Sequence, residues 1–207
     1  MSTEIIRIPR PTKIELIRLR RRLSLSRRIH RILRDRLTFL IQEFYTVFRK
    51  AYEARQKLNT LLSELYPIYS NAVALHGLDV LNEGARSISE TVKVIAGTRN
   101  VMGVATPVLE ILKAPGSTLA LPIEVCELQA KRRELLETFV AIAEYEKELI
   151  RLGVEIARVK RIVTMLEKIL IPRLLNTIRY LMMKFDEMER EDKVRSMKIK
   201  ALLAQRA

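Results

Sequence analysis

Residues 16–75, LIRLRRRLSLSRRIHRILRDRLTFLIQEFYTVFRKAYEARQKLNTLLSELYPIYSNAVAL, carry a seam that advances by alternating steps of three and four residues. Its positions are Leu16, Leu19, Leu23, Ser26, His30, Leu33, Leu37, Leu40, Phe44, Val47, Ala51, Ala54, Leu58, Leu61, Leu65, Ile68, Ala72 and Leu75, and sixteen of these eighteen are apolar. A straight helix drifts by about 20° per heptad against such a repeat, so a seam kept this long demands a left-handed coiled coil. The two polar positions, Ser26 and His30, are either tolerated close to an open end or act as a register device.

The boundaries of this first helix are legible. Pro9 and Pro11 keep the leading segment extended, and Thr12 stands three residues before Glu15 as in a capping box. Gly77 fits a helix stop, and Pro67 is expected to bend or split the helix. Residues 76–122 change character, with five of the six glycines and with Pro107, Pro115 and Pro122. Val92, Val94 and Ala96 alternate with Thr91 and Lys93. Gly97-Thr98-Arg99-Asn100 then separates them from a second β-prone run, Val101 towards Ile111, which predicts a short hairpin. The pattern leaves open whether residues 79–88 are helical.

A second long helix is expected to start with Pro122 in its first turn, with Glu124 and Glu127 favourably placed against the helix dipole. Its seam reads Leu135, Phe139, Ile142, Tyr145, Leu149, Leu152, Ile156, Val159, Val163, Leu166, Leu170, Leu174, Ile178, Leu181, Phe185 and Met188. The steps are 3-3 between Phe139 and Tyr145 and 4-4-4 between Leu166 and Ile178. The second irregularity brackets Pro172, where the supercoil should unwind locally. The expected fold is therefore all-α. It is a single elongated domain over 1–207, a long antiparallel two-helix coiled coil, with helices over 12–77 and 122–205 and a middle segment, 78–121, holding the hairpin. Pairing Leu75 with a residue near Val125 sets Leu16 opposite roughly 184 and Leu40, Phe44 and Val47 against 156–163, and leaves the last turns of the second helix unpartnered.

Composition narrows the functional classes. The formal net charge is +14, from 38 Lys and Arg against 24 Asp and Glu, and residues 1–36 hold twelve of those basic residues. That density suits an acidic partner. A basic module binding nucleic acid or anionic membrane is one reading, although no aromatic falls between Leu16 and Leu37 to stack on bases. The alternative is a solvated face weakly paired with Asp186, Glu187, Glu189, Glu191 and Asp192. The single cysteine, Cys126, cannot close an internal disulfide and points to a reducing compartment. The longest uncharged stretch, 65–78, is too short to span a bilayer. His30 and His76 have no cysteine near them, so no metal site is expected. No phosphate-binding glycine loop occurs, and Glu187, Glu189 and Glu191 diverge on a helix. The chain is expected to be no enzyme, with no catalytic residues and no cofactor.

Pro11-Thr12-Lys13 at the first helix start, Asn100-Val101-Met102-Gly103-Val104 in the middle, and residues 157–178, ARVKRIVTMLEKILIPRLLNTI, together resemble the D subunit of the archaeal A-type and vacuolar-type rotary ATPases. The resemblance covers nearly the whole chain. It implies a central axle that carries torque between a hexameric catalytic head and a membrane rotor ring, cytoplasmic and peripheral to the membrane. Its implied partners are the A and B subunits of the head, a companion F subunit on the stalk and a funnel-shaped subunit above the ring, with no direct contact to nucleic acid. The residues expected to face the head are Arg18, Arg20, Arg21, Met197, Lys198, Leu202 and Leu203. The motif of the middle segment is Asn100, Val101, Met102, Gly103 and Pro107.

Overall fold

A computed structural model describes residues 6, 11–86, 92–113 and 123–204. Helix α1 (Lys13–Arg86) is followed by strands β1 (Lys93–Val101) and β2 (Val104–Lys113) and helix α2 (Ile123–Met165). A π-helical turn (Leu166–Leu170) and helix α3 (Ile171–Ala204) complete the order. The expected class, two long helical spans with a short antiparallel hairpin between them, is the one observed. The chain divides into two compact units, Thr38–Ala157 and the pair of segments Met1–Leu37 and Arg158–Ala207. Pro122 and residues 87–91 lie outside the described residues.

In the unit Thr38–Ala157, α1 runs antiparallel to α2, as the ion pairs Arg55–Glu146, Lys57–Glu134 (3.0 Å) and Glu64–Lys131 require. Leu40, Val47, Ala51, Leu61, Leu65 and Ala72 of the α1 seam are buried, while Leu75 lies out of it at 68% exposure. The α2 seam needs one correction. Phe139 is on the surface at 46% exposure and Thr138 is buried in its place. With Thr138 the seam through Leu135, Ile142, Tyr145, Leu149, Leu152 and Ile156 steps regularly by three and four, and the 3-3 irregularity disappears. Thr138 is tolerated because its hydroxyl donates to the Leu135 carbonyl at 2.7 Å, so no polar atom is stranded. Phe44 is half-buried and sits against Gly153, short of the 156–163 span expected.

Gly77 breaks the helical path with φ 75° and ψ 164°, a left-handed φ that costs glycine nothing. Residues 78–86 beyond it are helical again. Pro67 lies inside α1, and the break falls at Gly77 instead.

In the other unit, Lys13 pairs with Glu189 at 3.7 Å, and the Arg20 guanidinium lies 3.6 Å from Met182 Sδ, within a helical turn of the register expected. Thr12 caps α1 by accepting from the Glu15 amide at 3.3 Å, whereas the Glu15 carboxylate turns to Arg18. Leu19, Leu174, Ile178 and Leu181 form the buried cluster, with Leu16, Leu23, Leu170 and Phe185 packed on it. Ile6 joins them, and its amide donates to Thr177 Oγ1 at 3.1 Å. The residue ahead of the helix thus lies back along α3.

The π turn explains the 4-4-4 spacing. At about 100° per residue, three steps of four carry a seam about 120° around an α-helix. One inserted residue takes back about 100° of that. Leu166, Leu174 and Ile178 accordingly stay buried on one face. The turn closes with the Ile171 amide donating to the Leu166 carbonyl, immediately before Pro172, which could not have donated.

Candidate partner-binding surfaces

The middle-segment motif makes the hairpin turn. Gly97-Thr98-Arg99-Asn100, which separates the two β-prone runs in the sequence, is strand; the chain reverses at Met102-Gly103, with Val101 paired to Val104. Both turn residues have positive φ, 50° and 85°, as the type I′ turn that matches strand twist demands. Asn100 Oδ1 accepts from the Gly103 amide at 2.8 Å and holds the turn closed. Met102 is half-exposed at the tip, and Pro107 is half-buried opposite Thr98.

The hairpin is fastened to α2 by side chains with no motif in the sequence. Glu148, almost fully buried, takes Arg99 at 3.2 Å, and Glu144 accepts from the Leu109 amide at 2.9 Å. Arg151 donates to the Ala105 carbonyl. These three recur at one-turn spacing on one face of α2, and Thr106, a buried residue of β2, donates to the Arg99 carbonyl at 3.1 Å. A carboxylate as buried as Glu148 is stable only because Arg99 pairs with it.

The residues expected to face the head are all on the surface of the unit that holds both ends of the chain. Arg18 pairs with Glu15, Arg20 reaches Met182, and Arg21 is exposed. Met197, Lys198, Leu202 and Leu203 are exposed in the last turns of α3, where every described residue from 189 to 204 is exposed. The two groups are both solvent-facing, and no hydrogen bond or ion pair joins them among the described residues. Of the acidic stretch, Glu189 alone pairs with α1 among the described residues, through Lys13, while Glu187 and Glu191 pair within α3. Arg21, Arg22, Arg27, Arg28 and Arg31 are exposed and enter no ion pair among the described residues, so the acidic stretch does not neutralise them. In the same unit Ser26 is buried, and His30 Nε2 is 3.8 Å from Glu167, too far for a hydrogen bond.

No cluster of His, Cys, Asp or Glu able to hold a metal occurs among the described residues, and no described helix is long and apolar enough to cross a membrane.

The family model for the D subunit of ATP synthase matches residues 15–201. The D subunit of the A-type ATP synthase of Pyrococcus horikoshii is 36% identical over 98% of each chain. That of Methanopyrus kandleri is 34% identical over 98% of this chain and 90% of its own. The Desulfurococcus protein of the same name is 33% identical over 95% of each.

Proposed function

Because the chain belongs to the family of ATP synthase D subunits, which makes it a subunit of a rotary ATPase, we propose that it is the central stalk of that machine. In this reading it transmits torque between the catalytic head, built of A and B subunits, and the membrane rotor ring. It joins a companion F subunit and a funnel-shaped subunit on the way, at the cytoplasmic periphery of the membrane, and performs no chemistry itself. The observation that supports the reading is the extent of the match: relatives align along nearly the entire chain, so the likeness is to a whole D subunit and not to a shared module.

Physical properties of the sequence support the same reading. A shaft needs a continuous packed seam, and long helices with buried leucines at 3-4 spacing resist bending and twisting better than loops would. Exposed arginines and exposed apolar residues near the ends suit contact with surfaces that pass by. Diffuse contacts of this kind vary little with angle, whereas strong specific pairs would hold the shaft at fixed positions. The test is reconstitution of head subunits with the chain carrying a bead at Leu112→Cys, an exposed hairpin position. ATP should drive the bead in one direction. A head that hydrolyses ATP and binds the chain while the bead stays still would overturn the torque reading. The chain alone, freed of head subunits, should hydrolyse no ATP.

A further inference from the structure

The two edges of the hairpin differ in what meets them. A two-residue turn closes on a hydrogen-bonded pair, here Val101 and Val104, and along an antiparallel ladder such pairs alternate with non-bonded ones. Val101, Arg99, Gly97 and Ile95 therefore turn their backbone groups towards β2, while Asn100, Thr98, Ala96 and Val94 turn theirs outward. On β2 the outward phase falls to Ala105, Pro107 and Leu109. That edge is taken up: Arg151 donates to the Ala105 carbonyl, Glu144 accepts from the Leu109 amide, and Pro107 has no N–H to satisfy. The edge of β1 is open. Every residue from Lys93 to Asn100 is exposed, and the outward amides and carbonyls of Val94, Ala96, Thr98 and Asn100 have no partner among the described residues. Folded proteins ordinarily blunt such an edge with proline, charge or a bulge. No proline lies in 93–101, the one irregularity of the ladder sits at its far end between Lys93 and Val94, and the Arg99 side chain is held by Glu148. Val94 and Ile95, on opposite faces of the strand, leave apolar side chains in solvent at 42% and 51% exposure.

We propose that the open edge of β1 accepts one extended, acidic segment of another subunit as a third strand, apolar where it passes Val94 and Ile95. The outward residues from Val94 to Asn100 span roughly 20 Å at about 3.4 Å per residue, and they offer donors and acceptors in a phase that an extended chain meets. A helix satisfies its own backbone and would leave them unpaired. Charge selects whose strand it is. β1 carries Lys93 and Arg99 and no acidic residue, and the chain as a whole has a formal net charge of +14, so a second copy is repelled and an acidic segment is attracted. Strand addition of this kind draws affinity from main-chain hydrogen bonds and selectivity from alternate side chains. The inference rests on the stalk reading for the presence of another subunit at the hairpin.

Hydrogen exchange read at single residues tests this, on the full chain alone and reconstituted with its companion, funnel-shaped and head subunits. Alone, the amides of Val94, Ala96, Thr98 and Asn100 should exchange much faster than those of Ile95, Gly97 and Arg99. In the complex they should slow at least a hundredfold. A photo-crosslinking phenylalanine analogue at Ile95 should link to an extended segment of another subunit that carries Asp or Glu. Ala96→Pro removes one outward amide and leaves the bonds to β2 in place, so it should weaken binding of that subunit at least tenfold at an unchanged melting temperature. Ala96→Val keeps the amide and should bind normally. If Ala96→Pro disturbs the hairpin, seen as fast exchange at Ile95 and Gly97, the unsubstituted complex decides by its own exchange. Outward amides that exchange as fast in the complex as alone would overturn the proposal. So would links to a second copy, to another part of this chain, to a helix or to a segment without acidic residues, and so would unchanged binding by an Ala96→Pro chain with its hairpin intact. The stalk reading survives each of these results while the complex still assembles. If the unsubstituted chain joins no complex, both readings fall together.

Discussion

Leu174 is completely buried at the centre of the cluster formed with Leu19, Ile178 and Leu181, and its position there depends on the π turn that precedes it. Leu174→Ala removes three carbons, worth about 2.4 kcal/mol in transfer free energy. A cavity term adds to this, but packing between helices next to solvent relaxes more readily than a deep core. A total of about 3 kcal/mol, towards the lower end for buried leucines, is therefore expected. For a chain of this length that is a melting shift of roughly 6–12 °C. Ile169→Ala is the control: it lies within the π turn itself but is 43% exposed, and it should cost less than about 1 kcal/mol. Thermal and urea melts followed by circular dichroism at the helical minimum, on both variants and the parent, measure the difference. If the two variants cost the same, or Leu174→Ala costs less than Ile169→Ala, the seam does not pass through the π turn as described and the phase-correction account is wrong.

Arg99→Ala should cost about 3 kcal/mol, because it leaves Glu148 buried without its cation, whereas Glu148→Gln should cost less; denaturant melts of the pair, with hydrogen exchange at the β1 and β2 amides, read both. Met102→Asn should stabilise by roughly 0.5–1 kcal/mol, since asparagine accepts the left-handed φ more easily than methionine; a lower melting temperature would mean that Met102 makes a compensating contact. Removing residues 196–207 should leave the helical melt unchanged and weaken binding to the head, measured by titration against reconstituted A and B subunits. Loss of fold, or loss of companion binding with head binding intact, would reverse the expected orientation of the stalk.

The seam of α1 is readable because burial in a coiled coil selects apolar residues at a fixed interval, and in this chain residues 16–72 obey it. Thr138 escapes that reading for the same reason. Its hydroxyl is satisfied inside its own helix, so a polar residue fills a buried site, and the neighbouring Phe139 draws the seam off by one. The hairpin exists in the pattern, but its turn does not: Gly97-Thr98-Arg99-Asn100 has turn composition, and the strand pairing that overrides it is a long-range property. Asn100, Val101, Met102 and Gly103 stand out only through a family resemblance, and in the fold they form the turn itself. Glu144, Glu148 and Arg151 read as ordinary charges on a helix face, since nothing local marks a carboxylate that a distant strand will cover. Nor does anything before the helix signal that Ile6 completes a cluster with Leu174 and Ile178.

A helix that packs along its length is a phase-sensitive object, and the π turn at Leu166–Leu170 is the place in this chain where phase is adjustable. Anywhere in α1, losing or gaining one residue would swing every later side chain by about 100° and exchange buried for exposed positions. At 166–170 losing one residue only converts the π turn to an α turn, and the residues of α3 keep their face. Relatives aligned by counting heptads would therefore need a one-residue gap at this point that corresponds to no change in the packed surface. A chimera joined on either side of it would have to match the bulge as well as the sequence.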